Sequence, residues 1–226
     1  MDDYNQVYYQ NQIMTSITRN FSTFEESSEA FASGAPKDGK GKKILPVSLG
    51  TEFQTPRLCF VEDVDLSDTS VRNSYLKVVS DRKGEAFKSW MASFDDWVVQ
   101  QLEAVSVDIW GKTVSDEAIR ELYKPSISPK NNMKLYWPRC KTGDIKVRVV
   151  GKDNAEIDVP EVMAQGSRIV SIVRCRQINV YKSQAWPQWE VRTFTVKAAK
   201  IVQQPQCIID ESDSDSESES EYCDDM

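Results

Sequence analysis

The chain has 226 residues, with 28 Lys and Arg against 35 Asp and Glu and a formal net charge of −7, enough for one good core with tails but not for two large domains. It contains no histidine, which excludes Ser-His, Cys-His and His-metal chemistry at once. Its five cysteines are scattered, odd in number and never spaced C-x-x-C, so free thiols in a reducing compartment are expected rather than a zinc site or a disulfide framework.

No basic-then-apolar signal pattern and no apolar run of 18 residues occurs, which reads as an intracellular protein without a membrane span. Charge is unevenly spread. Residues 210–226 hold nine acidic and no basic residues, whereas residues 125–204 hold 14 basic against 6 acidic. The chain is a basic module tied to an acidic tail of nearly equal and opposite charge, and local counting shows a nucleic-acid footprint that the overall charge hides.

Residues 1–42 are polar, with Asn and Gln around Tyr4, Tyr8, Tyr9, Phe21, Phe24 and Phe31, and they predict a flexible arm. Gly34, Gly39 and Lys40 have the spacing of a phosphate-binding P-loop, but Gly41 stands where the metal-binding Ser/Thr is required, so the motif is rejected. Leu45, Val47 and Leu49 suit a first strand; residues 57–64 and 73–79 suit two more, closed by Asp81-Arg82-Lys83-Gly84. From Glu85 the period changes. Phe87, Trp90, Met91, Phe94, Trp97, Val98, Leu102 and Val105 recur at helical 3-4 spacing, predicting a long amphipathic helix whose aromatics are core. Gly111 follows as a stop, and a short helix over 115–123 begins at the N-cap candidate Ser115.

From Asp144 to Val202 the pattern is basic and β-like. Ile145, Val147 and Val149 alternate with Lys146 and Arg148; Gly151 to Asn154 is turn chemistry; residues 155–159 return as a hairpin arm. A long strand follows over 167–182, then a break at 183–187 and a last strand over 188–202. Several short strands with turn signals in one small domain suggest a barrel or sandwich.

Single-stranded nucleic acid is bound by stacking bases on aromatics while Lys and Arg follow the phosphates. Three clusters interleave those residue types: Tyr136-Trp137-Pro138-Arg139-Cys140-Lys141; Arg174 and Arg176 continuing to Tyr181-Lys182; and Trp186-Pro187-Gln188-Trp189 with Arg192 and Phe194. Arg168, Arg174 and Arg176 share one parity, which puts three guanidiniums on one face of a regular strand, with no carboxylate expected near Arg174 and Arg176. About half of the six aromatics must fill the core. Trp137 and Trp186 both precede proline and are the first stacking candidates, with Tyr181 next; Trp189 and Phe194 have opposite parity, so at most one faces a groove unless a bulge intervenes. The candidate DNA-binding set is therefore Trp137, Arg139, Lys141, Arg168, Arg174, Arg176, Tyr181, Lys182, Trp186 and Arg192. No catalytic residue, metal site or cofactor is expected. The acidic group Asp153, Glu156, Asp158 and Glu161 reads as a solvated hairpin face.

The run Ile145 to Pro160, followed by Gly166-Ser167-Arg168-Ile169, resembles the OB-fold single-stranded DNA-binding proteins of short-tailed phages, relatives of which are carried by nucleocytoplasmic large DNA viruses. The resemblance covers residues 43–202 in element order and 145–202 closely. It implies a mainly β, α+β chain: a five-stranded OB barrel over 43–204, with a long amphipathic helix between early and late strands. A flexible arm (1–42) and an acidic disordered tail (205–226) flank it. By position it directs DNA to Arg174, Arg176, Tyr181, Lys182 and Arg192.

The tail residues Asp210, Glu211, Asp213, Asp215, Glu217, Glu219, Glu221 and Tyr222 cannot fold alone. The resemblance implies that they compete for the basic groove in cis and contact replication proteins such as DNA polymerase or helicase-primase. The family's tail ends on an aromatic residue, whereas this one ends on Met226, four residues after Tyr222. Ser212, Ser214, Ser216, Ser218 and Ser220 alternate with acids and suit an acid-directed kinase.

The expected function is sequence-tolerant single-stranded DNA binding in viral replication, recombination or repair, with a homodimer among the implied states. The expected site of action is the host nucleus or a cytoplasmic replication site, with packaging in the virion a further implied destination. The alternative is a non-catalytic interaction or virion-structural module whose basic sheet binds RNA or an acidic protein.

Overall fold

The computed structural model describes residues 31–49, 52–151 and 155–197. The expectations for the first 30 residues and for the acidic tail, including its serines and Tyr222, lie outside the described residues.

Strands β1 (Phe31–Ser33) and β2 (Lys37–Gly39) both pair antiparallel with β3 (Lys42–Leu49). The Gly-Lys-Gly run that imitates a P-loop is a hairpin turn, with Gly41 at φ +68° where a side chain is disfavoured. Part of the segment assigned to the arm thus stands in strands, Phe31–Ser33 and Lys37–Gly39, where turn chemistry and linker chemistry share glycine. After β4 (Phe53–Gln54), β5 (Leu58–Phe60) and β6 (Val64–Asp65), β7 (Asn73–Val78) alternates cleanly, burying Ser74, Leu76 and Val78.

Helix α1 (Arg82–Ala104) begins five residues before Phe87, the first residue of its apolar stripe, because Asp81 caps it by accepting the Gly84 N–H at 2.8 Å. The sequence Asp81 to Gly84 thus starts a helix as well as ending a strand. Phe87, Trp90, Met91, Phe94, Val98 and Leu102 are buried along one face, as the 3-4 spacing predicts. Short helices α2 (Ser106–Trp110), closed by left-handed Gly111, and α3 (Asp116–Leu122), capped by Ser115, follow. No helix among the described residues is long and apolar enough to cross a membrane.

The remaining strands are β8 (Asn132–Tyr136), β9 (Arg148–Val150), β10 (Glu156–Ile157), β11 (Val162–Met163), β12 (Arg168–Val180) and β13 (Ala185–Lys197). β9 and β10 form the expected hairpin, shorter than its sequence pattern. β13 starts at Ala185, so Trp186 and Pro187 lie within the strand rather than in the break.

Five strands close on themselves: β12 pairs with β5, β5 with β7, β7 with β8, β8 with β13, and β13 back with β12. Counted along the chain, the ring runs first–second–third–fifth–fourth–first, and its third–fifth contact is parallel. That closure is the OB-fold topology. β3 extends the sheet along the far half of β12. Inside, Trp137 stacks on Phe60 (ring centroids 6.3 Å apart) and meets Phe194 edge-on at 5.6 Å, while its indole N–H donates to Ser74 Oγ at 2.8 Å. α1 packs on the barrel through Trp90 against Phe53 (4.5 Å) and Phe94 against Trp189 (4.9 Å).

Two irregularities in the β12–β13 register decide which side chains point where. The pairing steps from Ile172–Thr193 to Val173–Val191 and from Cys175–Trp189 to Gln177–Gln188, leaving Arg192 and Arg176 as the extra residues. A bulge re-aims the side chains around it. Accordingly Trp189 and Phe194 are both buried despite opposite parity.

Candidate nucleic-acid interface

Strict alternation projects a mixed aromatic and cationic row from the outer wall of the barrel. Asn73, Tyr75 and Lys77 point outward from β7, and Lys134 and Tyr136 from β8, where Tyr75 lies opposite Lys134 and Asn73 opposite Tyr136. Tyr136 in turn lies beside Glu190 of β13, and Trp186 lies opposite Asn179 of β12. A shallow cleft of about 180 Å³ joins Lys42, Lys134, Tyr136, Trp186 and Gln188. Four strands and β3 therefore contribute to one surface.

Its centre is aromatic. Tyr181 and Trp186 stack at 5.1 Å between centroids with planes 6° apart, and both remain partly exposed. The Lys42 ammonium sits 6.0 Å from the Tyr181 ring centroid, and that of Lys134 sits 5.8 Å from the Tyr75 ring. Beneath them an amide network fixes the floor: Lys42 Nζ and Gln177 Nε2 donate to Asn179 Oδ1, and Asn179 Nδ2 donates to Gln188 Oε1 at 3.2 Å.

Next to it lies an arginine cluster that differs from expectation. Arg174 and Arg176 do have a nearby carboxylate. Glu190, the cross-strand partner of Arg174, is 2% exposed and lies 3.2 Å from Arg174, 3.4 Å from Arg192 and 3.8 Å from Arg176. Arg192 also pairs with Glu52 at 3.0 Å. Sequence order hid this contact, because Glu190 is 16 residues from Arg174 and reaches it only through strand pairing. Three guanidiniums on two carboxylates keep a net positive charge, and Arg176 is the most exposed of the three.

The other expected residues separate. Trp137 is fully buried, so the stacking role expected for it is corrected: a residue before proline lies at a strand end, but this strand end turns inward. Arg139 is committed elsewhere, donating to the carbonyls of Val71 (3.0 Å), Gly143 (2.8 Å), Leu66 (2.9 Å) and Asp68 (2.7 Å), which makes it a clamp between two loops. Lys141 is exposed on the neighbouring loop. Arg168 is exposed at the start of β12, opposite Cys59 and Lys197; Ile169, Ser171, Val173 and Cys175 are buried, so Arg168, Arg174 and Arg176 share the other side of β12, with Arg168 six residues from Arg174. Lys182 is exposed in the β12–β13 turn and lines a cleft of about 310 Å³ with Lys42, Lys43, Tyr181 and Trp110.

Sequence reasoning left Lys42, Tyr75 and Lys134 out of the candidate set. The signal for two of them was present as period-2 alternation over 73–78 and 132–136; Lys42 looked like linker. Among the described residues no group of three or more His, Cys, Asp or Glu could hold a metal ion, and Glu156 is paired with Arg148 at 3.0 Å.

No protein-family model and no curated protein matches the sequence. Among solved structures, the chain is similar to gp2.5, a single-stranded DNA binding protein encoded by bacteriophage T7, at 12% identity and TM-score 0.42, covering 68% of this chain and 96% of that one. It is also similar to the single-stranded DNA-binding protein from bacteriophage Enc34: the C-terminal truncation at 10% identity and TM-score 0.39 (76% of this chain, 97% of that one), and the complex with single-stranded DNA at 11% and 0.38 (73% and 95%). Superpositions this loose leave the architecture resting on the strand pairing of this chain itself.

Proposed function

We propose that this protein binds single-stranded DNA, without catalysis and with little dependence on sequence, on the outer face formed by β7, β8, β13, β12 and β3. The supporting observation is the surface itself: partly exposed Tyr75, Tyr136, Tyr181 and Trp186 interleave with Lys42, Lys134, Arg174 and Arg176. Bases stack on the rings while the cations neutralise phosphates and release counterions. Duplex DNA offers no exposed base faces and cannot use the rings.

The finer reading is proposed on sequence grounds. The acidic residues 210–226 occupy the basic face in cis until DNA displaces them, and when displaced they contact replication proteins such as a polymerase or helicase-primase. The setting is viral DNA replication, recombination or repair, with a homodimer as the working assembly.

Anisotropy titration of labelled oligo-dT against the full chain and a 1–209 truncation, at two salt concentrations with duplex and RNA controls, tests both parts. The expected result is salt-sensitive, single-strand-selective binding that tightens on truncation. Equal affinity for RNA or duplex would favour the interaction-module alternative. Selective binding unchanged by truncation would remove the competing tail and keep the face.

A further inference from the structure

At one end of the proposed face the loop 124–131 rises beside the β12–β13 turn and encloses a cavity of about 490 Å³, within the range of small-ligand sites. Tyr75, Trp186, Pro125 and Pro129 are among the residues that line it. Tyr181 covers one face of Trp186 from outside the cavity, so Trp186 meets the cavity with the ring surface that Tyr181 leaves open. Among the described residues, the side-chain amides of Asn132 and Gln184, which also line the cavity, have no hydrogen-bond partner.

The cavity is built before any ligand arrives. Its floor residue Ser126 accepts the Trp189 indole N–H at 3.0 Å, and donates through Oγ (2.6 Å) and backbone N–H (2.9 Å) to Asp95 of α1. Its rim is held by Ser128, whose N–H donates to the Asn132 carbonyl at 2.9 Å and whose Oγ accepts the Asn132 N–H at 3.2 Å. Left-handed Asn131 (φ 62°) completes the turn.

This arrangement suits a flat aromatic heterocycle with a donor–acceptor edge. Rings and prolines supply faces for stacking; two neutral amides each supply an NH2 group as donor and a carbonyl oxygen as acceptor; Lys134 stands at the margin for an adjoining phosphate. Lys124, which also lines the cavity and whose backbone N–H donates to the Ala185 carbonyl beside Gln184, supplies a second cation for that phosphate. The geometry points to a nucleobase pocket: one base turned out of the bound strand lies against Tyr75 and Trp186 with its hydrogen-bonding edge at Asn132 and Gln184. The inference rests on the single-stranded DNA reading, and adds that one nucleotide per protein is held differently from the rest.

The test uses the full chain and an oligo-dT carrying 5-iodouracil, cross-linked by long-wave ultraviolet light and mapped by mass spectrometry, alongside anisotropy. The companion variant Asn132→Trp changes an outward strand position whose backbone bonds are kept, and places an indole in the cavity. The expected result is an adduct on Tyr75 that disappears in Asn132→Trp, with affinity weakened about 5-fold to 10-fold and an unchanged melting temperature. Adducts confined to Tyr136 and Tyr181, or an adduct and affinity indifferent to Asn132→Trp, would overturn the pocket and leave the DNA-binding face standing. No single-strand binding by anisotropy in either protein would overturn the face and the pocket together.

Discussion

Trp137 and Trp186 both precede proline, yet one fills the barrel and the other faces outward. Their truncations should separate binding from stability. Trp186→Ala should weaken oligo-dT binding by about 1–3 kcal/mol, the usual worth of a stacked base, with a small change in melting temperature. Trp137→Ala should cost about 3–5 kcal/mol of stability in urea unfolding, because it empties a site packed by Phe60 and Phe194 and strands the Ser74 hydroxyl. Equal loss of binding through both substitutions, with stability unchanged, would contradict the placement of the two rings. Asp95 carries a pH prediction. Part of the residue reaches solvent, but its carboxylate is enclosed by the Tyr123 hydroxyl (2.7 Å) and Ser126, and burial pushes its carboxyl up from 3.8 to about 6. A carboxyl raised on folding favours the fold while protonated, so its contribution falls as pH rises from about 4 to 6, by the order of 2–3 kcal/mol. Asp65, Asp68 and Asp81, held below the ordinary range chiefly by hydrogen bonds from Ser67, Ser70 and Gly84, act oppositely and only below that window. The variant Asp95→Ala, which leaves three donors without an acceptor, should be less stable than the parent, by a margin larger at pH 4.5 than at pH 7. A margin independent of pH would mean an ordinary Asp95.

At the scale of elements, the start of α1 and the β12–β13 pair do most to position the face. α1 turns so closely off β7 that a Cβ on Gly84 would lie 1.9 Å from the Val79 carbonyl oxygen. Gly84→Ala should therefore destabilise the protein by about 1–3 kcal/mol in spite of alanine's better helix propensity, because the obstruction is backbone and must move as a unit. A stabilised Gly84→Ala would show that the turn relaxes freely. Along β12 and β13 the two extra residues are both arginines, and their bulges gather Arg174, Arg176 and Arg192 around buried Glu190. Arg176, the most exposed, should contribute chiefly as a phosphate contact: Arg176→Ala should reduce the slope of log affinity against log salt by roughly 0.7. An unchanged slope would place the DNA path away from the cluster.

For the whole molecule, the charge pattern is the governing fact. Fourteen basic residues over 125–204 are followed in the sequence by nine acidic residues over 210–226, so the overall charge of −7 misstates what a polyanion meets. Removing residues 210–226 should tighten oligo-dT binding several-fold at low salt, with the gain shrinking as salt screens both partners. A gain that persists at high salt would point to steric rather than electrostatic competition.

The sequence by itself determined the amphipathic helix, the alternating strands and the segregation of charge, because periodicity and composition are local properties that survive without knowledge of partners; they left barrel and sandwich open, and only the resemblance implied the OB barrel. It also expected about half of the late aromatics to be core, and Trp137, Trp189 and Phe194 are. Only the tertiary structure decided which aromatic was which. Strand register brought Glu190 to the arginines, loop closure took Arg139 for four carbonyls, and two bulges overrode simple parity. It also placed Lys42, Tyr75 and Lys134 beside Trp186, although they come from strands far apart in the chain. The physical reason is that a binding surface on a closed barrel is assembled across strands, and cross-strand neighbours follow from register, which depends on pairing with distant residues.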